Sequence, residues 1–373
     1  MGVLDGVRIV EIAGIGPGPF CGMLLADMGA EVILVERAAS NGADMLNLGK
    51  HSIVNRGKQS IALDLKDPAA IEAVLRLIEG ADALIEGMRP GVMERLGLGP
   101  EVCLARNPRL VYGRMTGWGQ QGPLAHAAGH DLNYIALSGA LWFSGEAGEP
   151  PMAPPTLVGD LGGGALYLAM GILAGIINCS TSGVGQVVDA AIVDGSANLM
   201  NLLLSAHAAG QQPLQRGCGL LDGAHWARTY ACADGLFVSV QALEPQFNTL
   251  LFNKLGLGDD QNFKKPYDAR LWGALRERLA DVFASQPRQH WVDLLEGSDA
   301  CFAPVLTPAE ALTHPHMAAR NVYSRRDGVL QAAPAPRFSA TPSGIGTIPT
   351  RGEHSARVLR EAGLSEDQIQ QLI

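Results

Sequence analysis

Charge of either sign is scarce in this chain. Asp, Glu, Lys and Arg make up 17% of its 373 residues, hydrophobic residues 47% and aromatics only 5%. That excludes a disordered polymer and describes a chain that buries most of itself. The 28 basic residues are outnumbered by 37 acidic ones, leaving a net charge of -9. A general nucleic-acid-binding surface is therefore excluded, and an anionic ligand needs a local group of arginines. Cysteine pairing is absent too. Cys21, Cys103, Cys179, Cys218, Cys232 and Cys301 form no Cys-x-x-Cys pair and no cysteine–histidine cluster. This argues against a metal site and a disulfide framework, and places the chain in the reducing cytoplasm. The longest apolar run, residues 165–177, is too short and glycine-interrupted to span a bilayer and reads as a buried helix, so no membrane partner is expected. Met1 to Asp5 does not open a secretory leader, and Gln371-Leu372-Ile373 is not a Ser-Lys-Leu peroxisomal address. No internal repeat or low-complexity tract is present.

What is there is a succession of short apolar runs. Residues 7–12 read as a buried strand, followed by the loop Gly14-Ile15-Gly16-Pro17-Gly18-Pro19, a helical run over 20–28 and a strand over 31–35 ending at Glu36-Arg37. This order is that of a doubly wound sheet. The glycines are spaced G-x-G-x-G, and Pro17 and Pro19 interrupt a smooth entry into the helix, so the dinucleotide fingerprint is weak. Glu36 reads as a solvated strand end rather than a ribose ligand. Residues 38–58 read as a surface excursion ending in Asn55-Arg56-Gly57-Lys58. Further strands are predicted over 60–65, 83–86 and 110–115, with helices over 68–79 and 92–96. Arg37, Arg89 and Arg95, with Lys66, lie at or just beyond strand ends. In open α/β sheets that edge binds ligands, and several such cations together suit phosphates, although each alone also fits a solvated loop charge.

Beyond a small-residue helix over 162–178, a strand over 185–189 leads into a helix over 190–209. The chain then changes character, with a glycine-rich connection at 216–224. A hairpin of 228–233 and 236–241 turns at Asp234-Gly235, and two amphipathic helices follow over 271–284 and 287–296. The fold class is α/β: a large doubly wound, Rossmann-like domain over 1–186 with about 331–373, and a small α+β domain over 225–302. A linker helix and loop over 187–224 and a return linker over 303–330 join them.

Two glycine-flanked segments carry candidate chemistry. One is Gly129-His130-Asp131-Leu132-Asn133-Tyr134; the other is Leu157-Val158-Gly159-Asp160-Leu161-Gly162-Gly163-Gly164. An imidazole and a carboxylate on opposite sides of one carbon can remove a proton from one face and return one to the other. The same residues also fit a plain helix start, with His130 packed and Asp160 capping the next helix.

Read together, these landmarks resemble the α-methylacyl-CoA racemases of the family III CoA-transferase group. The resemblance runs from Gly6 to roughly Ser365. It is carried by the Gly14–Phe20 loop, Arg89-Pro90-Gly91-Val92-Met93-Glu94-Arg95-Leu96-Gly97, Gly117-Trp118-Gly119-Gln120, the 128–139 segment, Leu243-Glu244-Pro245-Gln246-Phe247 and Pro334-Ala335-Pro336-Arg337-Phe338. It implies an acyl-CoA thioester substrate, a place in lipid and fatty-acid metabolism, and no cofactor beyond the CoA moiety. Arg37, Leu63, Asp64, Leu65, Lys66, Gly87, Met88, Arg89 and Arg95 would hold the nucleotide and phosphates. Gly129, Asp131, Leu132, Asn133 and Tyr134 would hold the thioester. His130 and Asp160 would be the acid/base pair, with Glu244 orienting His130. The resemblance further implies an interlocked homodimer, each active site lying between the large domain of one subunit and the small domain of the other. The rival activity is CoA transfer with Asp160 as nucleophile. His130 speaks against it, because transferases of the group resemble Gly-Tyr-Asp where this chain has Gly-His-Asp. One departure stands at Gly219-Leu220-Leu221-Asp222-Gly223-Ala224-His225-Trp226-Ala227-Arg228, where the racemases carry a longer run with asparagine in place of Gly219. There Trp226 and Arg228 either reshape the acyl pocket or reflect neutral drift.

Overall fold

Ile9-Val10-Glu11-Ile12 puts a carboxylate in the middle of a strand with no polar face, and the large domain is built around that anomaly. The structure, a computed structural model, describes residues 2–38, 48–326 and 328–373. Strands β1 (Arg8–Ile12), β2 (Glu31–Arg37), β3 (Gln59–Leu63), β4 (Ala83–Glu86), β5 (Val111–Thr116) and β6 (Gln186–Ala191) form one sheet in the order β3-β2-β1-β4-β5-β6. Every pairing is parallel. The central strands are covered on both faces, which is why they read as continuous apolar runs instead of alternations.

Helices α1 (Pro17–Asp27), α2 (Pro68–Glu79), α3 (Val92–Arg95), α4 (Pro100–Arg106), α5 (Asp131–Ser138), α6 (Leu166–Ser182) and α7 (Ile192–Leu199) belong to this unit. One face of the sheet packs Val10, Ile33, Leu84 and Tyr112 against Val74 and Ile78 of α2 and Cys103 of α4. The other packs Ile9, Val32, Ile85 and Val111 against Cys21 and Leu25 of α1 and Leu168 and Ile172 of α6. Helix α6 lies close because glycines permit it. A Cβ on Gly175 would stand 2.7 Å from a Val111 methyl, and one on Gly171 2.6 Å from a Val188 methyl. With the turn before it, Leu157–Ser182 is the one helical stretch among the described residues long and apolar enough to cross a membrane. Its Leu168, Ile172 and Gly175 are buried within this unit.

Glu11 is resolved by Lys58. Both side chains are fully buried and 2.7 Å apart, and Lys58 Nζ also donates to Pro19 O at 2.9 Å. Burial pushes the Glu11 carboxyl up to about 6 against the pull of Lys58. Gly22 makes room for the pair, since a Cβ there would lie 1.8 Å from Glu11 Oε2. Arg56 is buried as well, donating through Nε and Nη2 to Asp27 at 2.9 and 2.5 Å and through Nη1 to Ala332 O. The end of the expected surface excursion is thus interior; its portion at 39–47 lies outside the described residues. Glu36 is no solvated strand end either, for it accepts the Ser60 hydroxyl and lies 3.8 Å from Arg351. Nor do Pro17 and Pro19 interrupt α1. The helix starts at Pro17 with Gly16 as N-cap at φ 70°, and proline's fixed φ suits the first turn.

The second unit comprises residues 141–152 and 200–323. The expected 190–209 helix ends at Leu199 and resumes as α8 (Asn201–Ala208), where the two units divide. Strands β7 (Ala227–Ala231) and β8 (Phe237–Gln241) form the expected hairpin. A third antiparallel strand, β9 (Phe302–Pro304), joins it, its last two residues from the stretch read as return linker. Helices α9 (Pro245–Lys254), α10 (Trp272–Ala284) and α11 (Arg288–Leu295) pack Phe252, Leu279, Phe283 and Trp291 around Trp226 and Val240. Residues 187–199, set apart as linker in the sequence reading, belong to the first unit, and 200–224 to the second.

Replacing Lys58 by Met leaves the Glu11 charge buried without a partner. We expect a loss of about 3–5 kcal/mol in urea unfolding, largely restored when Glu11 is also replaced by Leu.

Candidate active site

Because all six strands of the large sheet are parallel, their carboxyl ends share one edge. β1 delivers the Gly14–Pro19 loop there, β2 Arg37, β3 Asp64 to Lys66, β4 Gly87 to Pro90, and β5 Gly117 to Gln120. The strand order reverses between β1 and β4, and ligand crevices open at such a point. Arg37, Lys66, Arg89 and Arg95 are exposed and pair with no described acid, whereas Arg114, nearby on β5, is consumed between Glu86 and Glu94 at 2.9 and 2.8 Å. Glu86 also accepts the Met88 N–H at 2.7 Å, which fixes the turn that presents Arg89. The Leu63 side chain is fully buried, so only its main chain reaches the edge. Asp64 accepts the Lys66 N–H at 3.1 Å.

The His130 segment is shaped by two close approaches. A Cβ on Gly117 would fall 1.9 Å from the Tyr134 ring, and one on Gly129 2.8 Å from it. Tyr134 stands edge-on to Trp118 at 4.7 Å and donates its hydroxyl to Gly129 O. The ring is therefore a buried wedge that sets the entry to α5. His130 is the N-cap in extended conformation; its N–H goes to Asn133 Oδ1 at 3.0 Å and its side chain is exposed. The N–H groups of Asn133 and Tyr134 return to His130 O. Those of Asp131 and Leu132 have no partner among the described residues, so two donors remain at the positive end of α5.

Asp160 lies within a wide helical turn, Leu157–Ala165, not at a helix cap. The Leu161 N–H reaches back five residues to Thr156 O at 3.0 Å, the bonding of a π-helix, which often occurs at functional sites. The turn is glycine-rich because its neighbours crowd it. A Cβ on Gly163 would meet Ser196 Oγ at 2.4 Å, and one on Gly159 would meet Asp131 Oδ1 at 2.4 Å. The Asp160 carboxyl is half-buried, faces Gly16 and accepts no hydrogen bond from a described residue. Burial, and next the charge of Asp131, push it up to about 6, with His130 opposing.

The structure thus brings His130, Asp131 and Asp160 together. The side chains of Asp131 and Tyr134 turn into the protein, the exposed Asn133 is tied to the His130 N–H, and Leu132 is exposed beside His130. Glu244 lies in the second unit as the exposed N-cap of α9. The departure at Gly219 is compensated locally. A Cβ there would overlap the Gln212 amide at 2.0 Å, and that amide donates to Asp222, which also accepts the Gly217 and Gly219 N–H groups. Trp226 belongs to the core of the second unit, donating to Pro266 O, and Arg228 pairs with Glu146, so neither is free to reshape a pocket by itself. Sequence reasoning missed the inward role of Asp131 and the buried Glu11–Lys58 pair. A charge inside an all-apolar strand was the signal for the second.

Known proteins resemble this chain over nearly its whole length. Residues 4–355 match the model of CoA-transferase family III. The chain is 43% identical over 374 residues to a mouse (Mus musculus) protein named α-methylacyl-CoA racemase, covering 99% of this chain and 96% of that one. It is 41% identical over 373 residues to the Homo sapiens protein of the same name, with the same coverage. Its fold superposes on the crystal structure of a CAIB/BAIF family protein from Brucella suis with a TM-score of 0.80 at 27% identity, covering 97% of this chain and 99% of that one. With a doubly wound sheet and a family match over most of its length, this chain belongs to CoA-transferase family III.

Proposed function

We propose that this protein interconverts (2R)- and (2S)-2-methylacyl-CoA thioesters by 1,1-proton transfer through an enolate. The observation that carries the reading is the pairing of His130 with a half-buried Asp160 whose carboxyl has no hydrogen-bond partner among the described residues. The naming of relatives 43% and 41% identical supports it.

A proton α to a thioester is weakly acidic, so the enolate must be stabilised as it forms. The unpartnered N–H groups of Asp131 and Leu132 donate to the thioester oxygen at the start of α5, and their bonds strengthen as charge develops there. One of His130 and Asp160 takes the proton and the other delivers one to the opposite face. The pair must hold one proton in total at the start of either direction, and a carboxyl titrating near 6 suits that requirement. Arg37, Lys66, Arg89 and Arg95 hold the nucleotide and phosphates, and the CoA moiety is the only cofactor the reaction uses.

We further propose a homodimer in the cytoplasm, with Glu244 of the partner subunit orienting His130. Support comes from exposed apolar side chains on the first unit. Leu137 of α5, Leu157 of the wide turn, and Leu166, Met170 and Ile177 along α6 are each more than half exposed. Folded proteins rarely leave large apolar patches uncovered. The six thiols are unpaired, in keeping with a reducing compartment.

Incubating one epimer of a 2-methylacyl-CoA in heavy water should give deuterium at the α-carbon and loss of optical purity. His130→Ala should lower the rate by a factor on the order of 10² to 10⁴. CoA passing to an added carboxylic acid without exchange would sink the proposal and make Asp160 a nucleophile. Since either direction needs the pair singly protonated, kcat/KM for both epimers should decline together at acid pH, as the pair takes up a second proton, and together at alkaline pH, as it loses its last. Different acid limbs for the two directions would contradict this. Arg89→Gln should raise KM roughly tenfold or more while leaving kcat near wild type, reflecting one lost charge-assisted phosphate contact.

A further inference from the structure

We propose that Asp131 is a positioning residue that ties the two candidate bases into one rigid piece. It follows His130 directly in the chain, and its carboxylate holds the main chain that carries Asp160. Asp131 Oδ1 accepts the Asp160 N–H at 2.8 Å, and Oδ2 accepts the Thr156 N–H at 3.2 Å. Asp131 is 8% exposed, so the accepting end of both bonds is largely shielded from water.

Three further features point to the same junction. Thr156 adopts φ 64°, a left-handed conformation that a β-branched residue enters only when its surroundings hold it there. Its bond to Asp131 supplies one such hold at the start of the wide turn. Gly159 packs directly on the carboxylate, in the space a Cβ would fill 2.4 Å from Oδ1. No side chain other than hydrogen is compatible with the bridge at that position. Finally, the first residue of a helix is where a carboxylate is most favourable, so Asp131 serves α5 and the wide turn at once. A misplacement of about 1 Å between two catalytic groups costs on the order of a hundredfold in rate. A direct link from the chain at His130 to the main chain of Asp160 is the shortest means of preventing it.

Asp131 also acts on Asp160 through space, because two carboxylates at one site resist simultaneous ionisation. Other groups around the turn are His130 and Tyr134 on α5, the exposed Asp194 on α7, and Arg114 and Asp189 on β5 and β6; the first turns of α1 and α6 carry no charge. Arg114 is already bound by Glu86 and Glu94, and Asp189 accepts the Gln120 N–H at 3.1 Å.

The test rests on the racemase reading for its kinetic arm and is independent of it for its spectroscopic arm. Asp131→Asn keeps the shape, one acceptor and the fold but removes the charge. The acid limb of kcat/KM should move down by roughly one pH unit, and the carboxyl resonance of Asp160, followed by ¹³C NMR in aspartate-labelled protein, should move with it. Asp131→Ala should lower kcat by roughly a hundredfold with little change in KM. Gly159→Ala should do the same, and the double variant should be no worse than either single one, since both break one contact. An unmoved Asp160 resonance in Asp131→Asn, or additive losses in the double variant, would overturn the assignment of Asp131. Absence of α-proton exchange in the wild type, with the resonance shift intact, would instead refute the racemase reading and leave the link standing.

Discussion

The wide turn that carries Asp160 exists because glycine lets main chains approach where no side chain could fit between them. Gly159 lies on the Asp131 carboxylate and Gly163 on Ser196, while Gly195 of α7 lies so near Gly163 O that a Cβ would come within 1.9 Å. Five-residue hydrogen bonding widens the coil and leaves it poorly packed within itself. Contact with α5 and α7 supplies the packing that the turn lacks. Once that contact is made, Asp160 has little freedom, and its carboxyl faces Gly16 at the start of α1. The same economy seats α6 on the sheet through Gly171 and Gly175.

A second constraint lies under the first. The Gly14–Pro19 loop opposite Asp160 is held from below by Lys58, which donates to Pro19 O while neutralising Glu11. Two charges have been taken out of water there, at a desolvation cost that well-packed apolar residues would avoid. What the pair provides in return is geometry: three points of attachment joining β1, the start of α1 and the chain entering β3. Asp131 joins α5 to the wide turn by the same logic. In both cases a charged group that looks destined for solvent or ligand serves to fix backbone.

The exposed side of the site differs in kind. Arg37, Lys66, Arg89 and Arg95 have no acidic partner among the described residues, although the protein has an excess of acid. Arg114 and Arg56, by contrast, are fully committed within the protein. The division between paired and unpaired cations marks a candidate anion-binding edge more sharply than total charge does. It is decided by which strand ends place a guanidinium beside a carboxylate and which place it in the open.

Much of this was legible in the amino-acid order. Apolar runs of four to seven residues between glycine-rich turns dictate a parallel sheet, since parallel strands are buried on both faces and need no alternation. His130 and Asp160 announced themselves by glycines that only close main-chain approach would require. The sequence alone also determined the hairpin at Asp234-Gly235. Tertiary structure decided the rest, because each such feature depends on a partner distant in the chain. Whether Lys58 is a surface charge depends on Glu11, 47 residues earlier, and whether Asp131 touches ligand or backbone depends on Asp160, 29 residues later. Whether Gly219 opens a pocket depends on the Gln212 amide that fills its place. A residue's type fixes which bonds it can make; only the folded chain fixes which of them are already taken.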